Sequence, residues 1–179
     1  MPTMLTGPMD LLIGGAVMTA LVACATDVRS RRIPNVLTVS AALLALLCRL
    51  LVGGPWALIG GLLGGVVGFL LFLPLFAVRG LGGGDVKLLG ALGAWIGSNL
   101  VLWTALYTAL CGGVMALGLA LWHGVLRRTL GHLSLMLTHW RVVGPGPVAG
   151  LTLEDSRSLR LAYAIPIACG LVLTLWLKA

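Results

Sequence analysis

The chain has 179 residues, of which 59% are hydrophobic and only 9% carry a charge. This composition excludes an ordinary water-soluble domain, because too few polar side chains remain to cover its surface, and it indicates a membrane protein. The net charge of +7 comes from 12 basic and 5 acidic residues. In membrane proteins such an excess collects in cytoplasmic loops, so it does not indicate a nucleic-acid partner.

Six apolar stretches follow one another along the chain, and a helical span needs about 20 apolar residues to cross about 30 Å of hydrocarbon. The sequence predicts an all-α membrane protein, one integral-membrane domain over residues 1–179. Its six transmembrane helices are predicted at 9–26, 34–52, 56–78, 86–97, 100–122 and 161–177. The fourth covers only about 18 Å, so the preceding segment 80–85 should lie below the membrane surface. Irregular backbone is tolerated there only inside protein or beside a wet cavity.

The basic residues predict the orientation of these spans. If the N-terminus lies outside, ten of the 12 basic residues face the cytoplasm, and only Arg49 and Lys178 lie outside. This split follows the excess of Lys and Arg in cytoplasmic loops. It also favours a fourth stretch that crosses, because otherwise the arginine-rich loop after the fifth span would move outward. Both termini are therefore expected outside.

Two further segments predict packing and lipid contact. Small residues at Gly60, Gly64 and Gly68 in the third span let helix backbones approach closely, inside the bundle or between protomers of a homo-oligomer. Between the fifth and sixth spans, residues 125–143 place leucines and a tryptophan at helical spacing among arginines. This pattern predicts an amphipathic helix on the cytoplasmic leaflet, in contact with membrane lipids.

Two of the acidic residues border apolar spans on the same predicted side. Asp27 follows the first span and Asp85 precedes the fourth. Ionisable residues at membrane depth are costly and usually functional, and two nearby carboxylates that share a proton can activate water. The alternative is structural, since Asp85 could cap a helix and Asp27 could pair with Arg29 or Arg31. The glycines before Asp85 favour a site, because they leave room for a second, extended chain.

Helix dipoles add a hypothesis about charge. Asp85 starts a predicted helix, where negative charge is favoured, and Asp27 ends one, where it is disfavoured. The sequence therefore predicts Asp85 as the general base and Asp27 as its protonated partner. No set of His, Cys and carboxylate residues has metal-ligand spacing, so neither a metal nor another cofactor is expected.

The residues around both aspartates resemble a known family. Gly82-Gly83-Gly84-Asp85 fits the GxGD signature of intramembrane aspartyl proteases. Asp27, followed six residues later by Ile33-Pro34-Asn35, is similar to the first aspartate motif of type IV prepilin peptidases, and the segment from Gly82 through Lys87 to Trp95 is similar to their second. The chain looks most like the short Flp/Tad-type members.

The resemblance implies an aspartic endopeptidase that removes prepilin leader peptides at the cytoplasmic face of the bacterial inner membrane. Asp27 and Asp85 would be catalytic, and the remaining motif residues would bind substrate or support the site: Gly82, Gly84, Lys87, Ile33, Pro34 and Asn35. The paired-cysteine domain of the bifunctional members has no counterpart in this sequence, so N-methylation is not expected. Leu161-Ala162-Tyr163-Ala164 stands where many members have Leu-Pro-Tyr-Ala.

The main alternative is a non-enzymatic membrane protein, either a small proton-coupled transporter or a pilus-assembly factor. In it, Asp27 and Asp85 would relay protons or form ion pairs. A transporter is expected to show an inverted repeat and a carboxylate near mid-membrane, and the sequence shows neither. A relative of presenilin or signal peptide peptidase is disfavoured, because those families place a Tyr before the first aspartate, where this chain has Thr26.

Overall fold

The computed structural model describes residues 7–77, 81–122 and 162–178. Within these ranges the chain forms helices and no strand, which confirms the all-α class. The helices are α1 (Pro8–Ser30), α2 (Asn35–Ala77), α3 (Gly83–Ile96), α4 (Ser98–Trp122) and α5 (Ala164–Lys178). Three of them, α1, α2 and α4, are long and apolar enough to cross a membrane, and α5 is a shorter apolar helix. The predicted amphipathic helix at 125–143 lies outside the described residues.

Helix α2 contains a sharp kink that reverses the chain. Gly54 has φ 69° and ψ −163°, a conformation that only glycine adopts readily, and Pro55 follows it. Across the kink, Arg49 lies against Gly61 and donates a hydrogen bond to the Ala57 carbonyl at 3.4 Å. Twelve residues of straight helix would separate Arg49 from Gly61 by about 18 Å. The segments 35–53 and 55–77 therefore form a helical hairpin. Its turn lies between the second and third predicted spans.

Helix α3 is the shortest of the five described helices, and it lies at the centre of the bundle. From Asp85 to Ile96 every side chain is buried except Lys87. It packs mainly on α2 and also contacts α1, α4 and α5. The surrounding helices expose many large apolar side chains, such as Trp56 and Val114, as expected for surfaces in contact with lipid.

The C-terminal end of α3 is closed by a side chain from α2. The Arg49 guanidinium donates to the carbonyls of Ala94 and Trp95, both at 2.9 Å. The last carbonyls of a helix have no partner within it, and unsatisfied carbonyls are costly in a membrane. A cation at this end also complements the helix dipole. This contact explains why a basic residue stands on the side of the bundle where few are expected.

The contact between α2 and α3 depends on paired glycines. Gly64 and Gly93 pack backbone to backbone, so that a Cβ on either would collide with the carbonyl oxygen of the other. Gly68 packs in the same way against Leu89, with its added Cβ 2.5 Å from the Leu89 oxygen. The predicted close-packing face is therefore present, although its third buried member is Gly61 and Gly60 is only half-buried.

Gly64→Ala is expected to lower the free energy of unfolding by about 1–3 kcal/mol, because the added methyl forces two backbones apart. Gly60→Ala is the matched control, since its Cβ would meet only the Arg49 guanidinium at an ordinary 3.6 Å. Both changes gain the same helix propensity. Thermal unfolding of the purified protein in detergent measures the difference, and equal melting temperatures for the two variants would contradict this packing.

Candidate active site

Asp27 lies in the last turn of α1, with only 8% of its surface exposed. The helix continues four residues further than the predicted span and ends when Arg31 adopts a left-handed conformation, φ 51°. The N–H of Arg31 then donates to the Asp27 carbonyl at 2.7 Å. The main chain of Asp27 is therefore held within the last turn of the helix, while Arg31 and Arg32 are exposed.

Asp85 lies in the first turn of α3 and is 9% exposed. Its Oδ2 accepts the N–H of Gly82 at 3.2 Å, and its own N–H donates to the Gly82 carbonyl at 3.1 Å. Asp85 therefore caps the start of α3, which is the structural alternative that the sequence leaves open. Capping engages Oδ2 in a single hydrogen bond, so it does not exclude a second role for the carboxyl group.

The two carboxylates come together at one end of the bundle. They are close enough for their charges to interact, although 58 positions separate them in the sequence. Both are buried and belong to different helices. The arrangement can therefore supply one group that accepts a proton and one that donates it.

The start of α5 is a third component of this site. The N–H of Ala164, the first residue of α5, donates to Asp27 Oδ2 at 3.2 Å. The neighbouring Tyr163 is close enough to Asp85 for an electrostatic interaction. Asp27 thus lies at the end of one helix and the beginning of another. The charge hypothesis considers only the ends of α1 and α3, and the start of α5 also lies at Asp27; which carboxyl group carries the proton stays a prediction.

The two sequence motifs are joined by a direct contact. Lys87 Nζ donates to Asn35 Oδ1 at 2.8 Å. Ile33 packs beside Gly84, where an added Cβ would lie 3.1 Å from the Ile33 Cβ. The Pro34 carbonyl accepts the N–H groups of Leu37 and Thr38 near the start of α2. The structure therefore brings together the residues that the sequence selects, and Gly82 takes part through its bond to Asp85.

Residues 15–117, which include both aspartate motifs, match the type IV leader peptidase family. The chain belongs to this family. Over 127 residues it is 34% identical to the prepilin leader peptidase/N-methyltransferase of Burkholderia pseudomallei, in strains 1026b and K96243 alike. The match covers 63% of this chain and 40% of the relative. No solved structure matches significantly.

The α5 contact is the part of this candidate site that sequence reasoning missed. Tyr163 and Ala164 appear in the sequence only as part of a motif in which Ala162 departs from the family's proline. Nothing in that motif indicates that Ala164 reaches Asp27, 137 positions away. In the part of the chain that the structure describes, no group of three or more His, Cys, Asp or Glu residues could hold a metal ion. The histidines at 123, 132 and 139 lie outside that part.

Proposed function

We propose that the chain is an aspartic endopeptidase that removes the leader peptide of type IV prepilins of the Flp type. Asp27 and Asp85 are its catalytic pair. The observation that carries this proposal is that two buried carboxylates from separate family motifs lie close enough to interact. The family membership and the prepilin leader peptidase name of the relatives support the substrate class, and the motif resemblance supports the Flp type.

The proposed chemistry needs only the two carboxyl groups. One carboxylate takes a proton from water as the water attacks the scissile carbonyl, and the other, protonated, polarises that carbonyl. The proton then passes to the leaving amine. The glycines beside Asp85, of which Gly82 is exposed, leave room for an extended peptide. Gly84, Ile33, Pro34 and the Lys87–Asn35 pair support the wall of the site.

We further infer that the chain crosses the bacterial inner membrane six times, with the site facing the cytoplasm. The α2 hairpin supplies two of these spans and the central α3 supplies a short one. Arg29, Arg31 and Arg32 follow Asp27 and are exposed, and basic residues mark the cytoplasmic side. Reporter fusions truncated after residue 32 are expected to report a cytoplasmic location, and those after residue 54 a periplasmic one. The opposite pattern would refute this topology.

The test of the proposed function is co-expression with a candidate Flp-type prepilin, with leader removal scored by gel shift. We expect cleavage by the wild-type protein and none by the double variant Asp27→Asn, Asp85→Asn. Cleavage by the purified enzyme is expected to persist in EDTA, since the proposed pair acts without a metal.

Two outcomes would count against it. An intact leader with every prepilin tried would favour the alternative, a membrane protein that uses the same aspartates for proton relay or pilus assembly. Activity that EDTA abolishes and zinc restores would overturn the two-carboxylate mechanism.

A further inference from the structure

We propose that Tyr163 is a positioning residue of this site. Its ring fills the space left by the missing side chain of Gly112 and thereby keeps the start of α5, with the Ala164 N–H, on the Asp27 carboxylate. This inference rests on the proposed function for its effect on cleavage, although the contact itself can be tested without substrate.

The Ala164 N–H depends on a partner from elsewhere in the fold. N–H groups in the first turn of a helix have no intrahelical acceptor. Here Ile165 and Ile167 donate to the carbonyls of Ala162 and Tyr163, and Pro166 has no N–H. Asp27 therefore serves as the cap for α5 at this group. The Cys24 thiol reinforces the same junction, since it donates to the Ala164 carbonyl at 3.1 Å.

Tyr163 is held between two other helices. Its ring meets Phe72 of α2 edge to face, with 6.4 Å between centroids and planes inclined by 72°. Its hydroxyl group points to α4, where a Cβ added at Gly112 would lie 2.8 Å from the oxygen and 3.2 Å from Cζ. Gly112 is buried, and only a glycine leaves this space.

A displaced Tyr163 ring would disturb the Asp27 carboxyl group through the Ala164 N–H. Tyr163 and Ala164 are consecutive, so a movement of the ring away from α4 also moves the N–H that Asp27 accepts. That bond is already 3.2 Å long, and beyond about 3.5 Å it would be lost. Misplacement of a catalytic group by about 1 Å can cost about 10²-fold in rate.

The experiment compares Gly112→Ala with Gly113→Ala in the full-length protein in detergent. Gly113 is the matched control, because an added Cβ there meets nothing within 4 Å. Infrared difference spectra identify the Asp27 carboxyl band by its loss in Asp27→Asn. We expect this band to shift in Gly112→Ala and in Tyr163→Ala, and to stay in place in Gly113→Ala and in Tyr163→Phe, which keeps the ring.

Prepilin cleavage is then measured on the same preparations. We expect kcat to fall about 10–10²-fold in Gly112→Ala and Tyr163→Ala, to fall less in Tyr163→Phe, which keeps the ring but loses the hydroxyl group, and to stay near wild type in Gly113→Ala. Tyr163→Ala introduces no collision, so it remains informative if Gly112→Ala fails to fold. An unmoved Asp27 band in Tyr163→Ala would overturn the proposal, as would equal losses in Tyr163→Phe and Tyr163→Ala. A shifted band in a protein that never cleaves prepilin would refute the proposed function alone.

Discussion

Asp27→Asn and Asp85→Asn are each expected to abolish leader cleavage, with kcat falling by about 10²–10⁴-fold or more. The proposed reaction requires one carboxyl group that accepts a proton and one that donates it, and an amide does neither. Asparagine keeps the shape of the side chain and an oxygen that can still accept the N–H of Ala164 or of Gly82. The variants should therefore fold, and gel-shift assays on purified protein with prepilin measure the loss.

Asp10→Asn is a close control for Asp85→Asn. Asp10 lies at the same position in the first turn of α1 and accepts the Gly7 N–H at 2.9 Å, as Asp85 accepts that of Gly82. If Asp85 served only as a cap, both substitutions would have the same small effect. We expect Asp10→Asn to cleave like the wild type, and substantial cleavage by either active-site variant would end the two-aspartate mechanism.

Arg49→Met is expected to lower the free energy of unfolding by about 3–6 kcal/mol, because each hydrogen bond from a charged donor contributes about 1.5–3 kcal/mol and two such bonds close α3. The carbonyls of Ala94 and Trp95 would be left without their donor. Cleavage should fall as well, since α3 carries Asp85 at its other end. Thermal unfolding in detergent measures the loss of stability. Cleavage assays on protein with and without prior heating measure the loss of activity.

Two further variants separate this contact from a general loss of charge. Arg49→Lys should give an intermediate loss, because an ammonium group cannot reproduce the fixed geometry of the guanidinium. Lys178 is the other basic residue predicted outside, and its ammonium lies 4.2 Å from the centre of the Trp103 ring. Lys178→Met is expected to cost only about 0.5–1 kcal/mol. Equal destabilisation by Arg49→Met and Lys178→Met would contradict the capping role.

The local sequence pattern is sufficient to predict much of this protein's structure. The long apolar runs determine the helical membrane class, because a helix satisfies its backbone hydrogen bonds within one segment in lipid and a helical span needs about 20 apolar residues. The break near Gly54 follows from a Gly-Gly-Pro sequence that a straight helix does not tolerate. The two aspartates and their flanking Ile33-Pro34-Asn35 and Gly82-Gly83-Gly84 segments are short motifs that can be read in order along the chain.

The contacts that position the aspartates were decided only by tertiary structure. The cap of Asp27 comes from α5, the donors that close α3 come from α2, and Tyr163 depends on an absent side chain at Gly112. A periodic pattern shows which face of a helix is apolar, but it does not show which other helix that face meets. For this reason the sequence predicts a helix dipole at Asp27 from α1 alone, whereas in the folded chain the start of α5 also lies at this carboxylate.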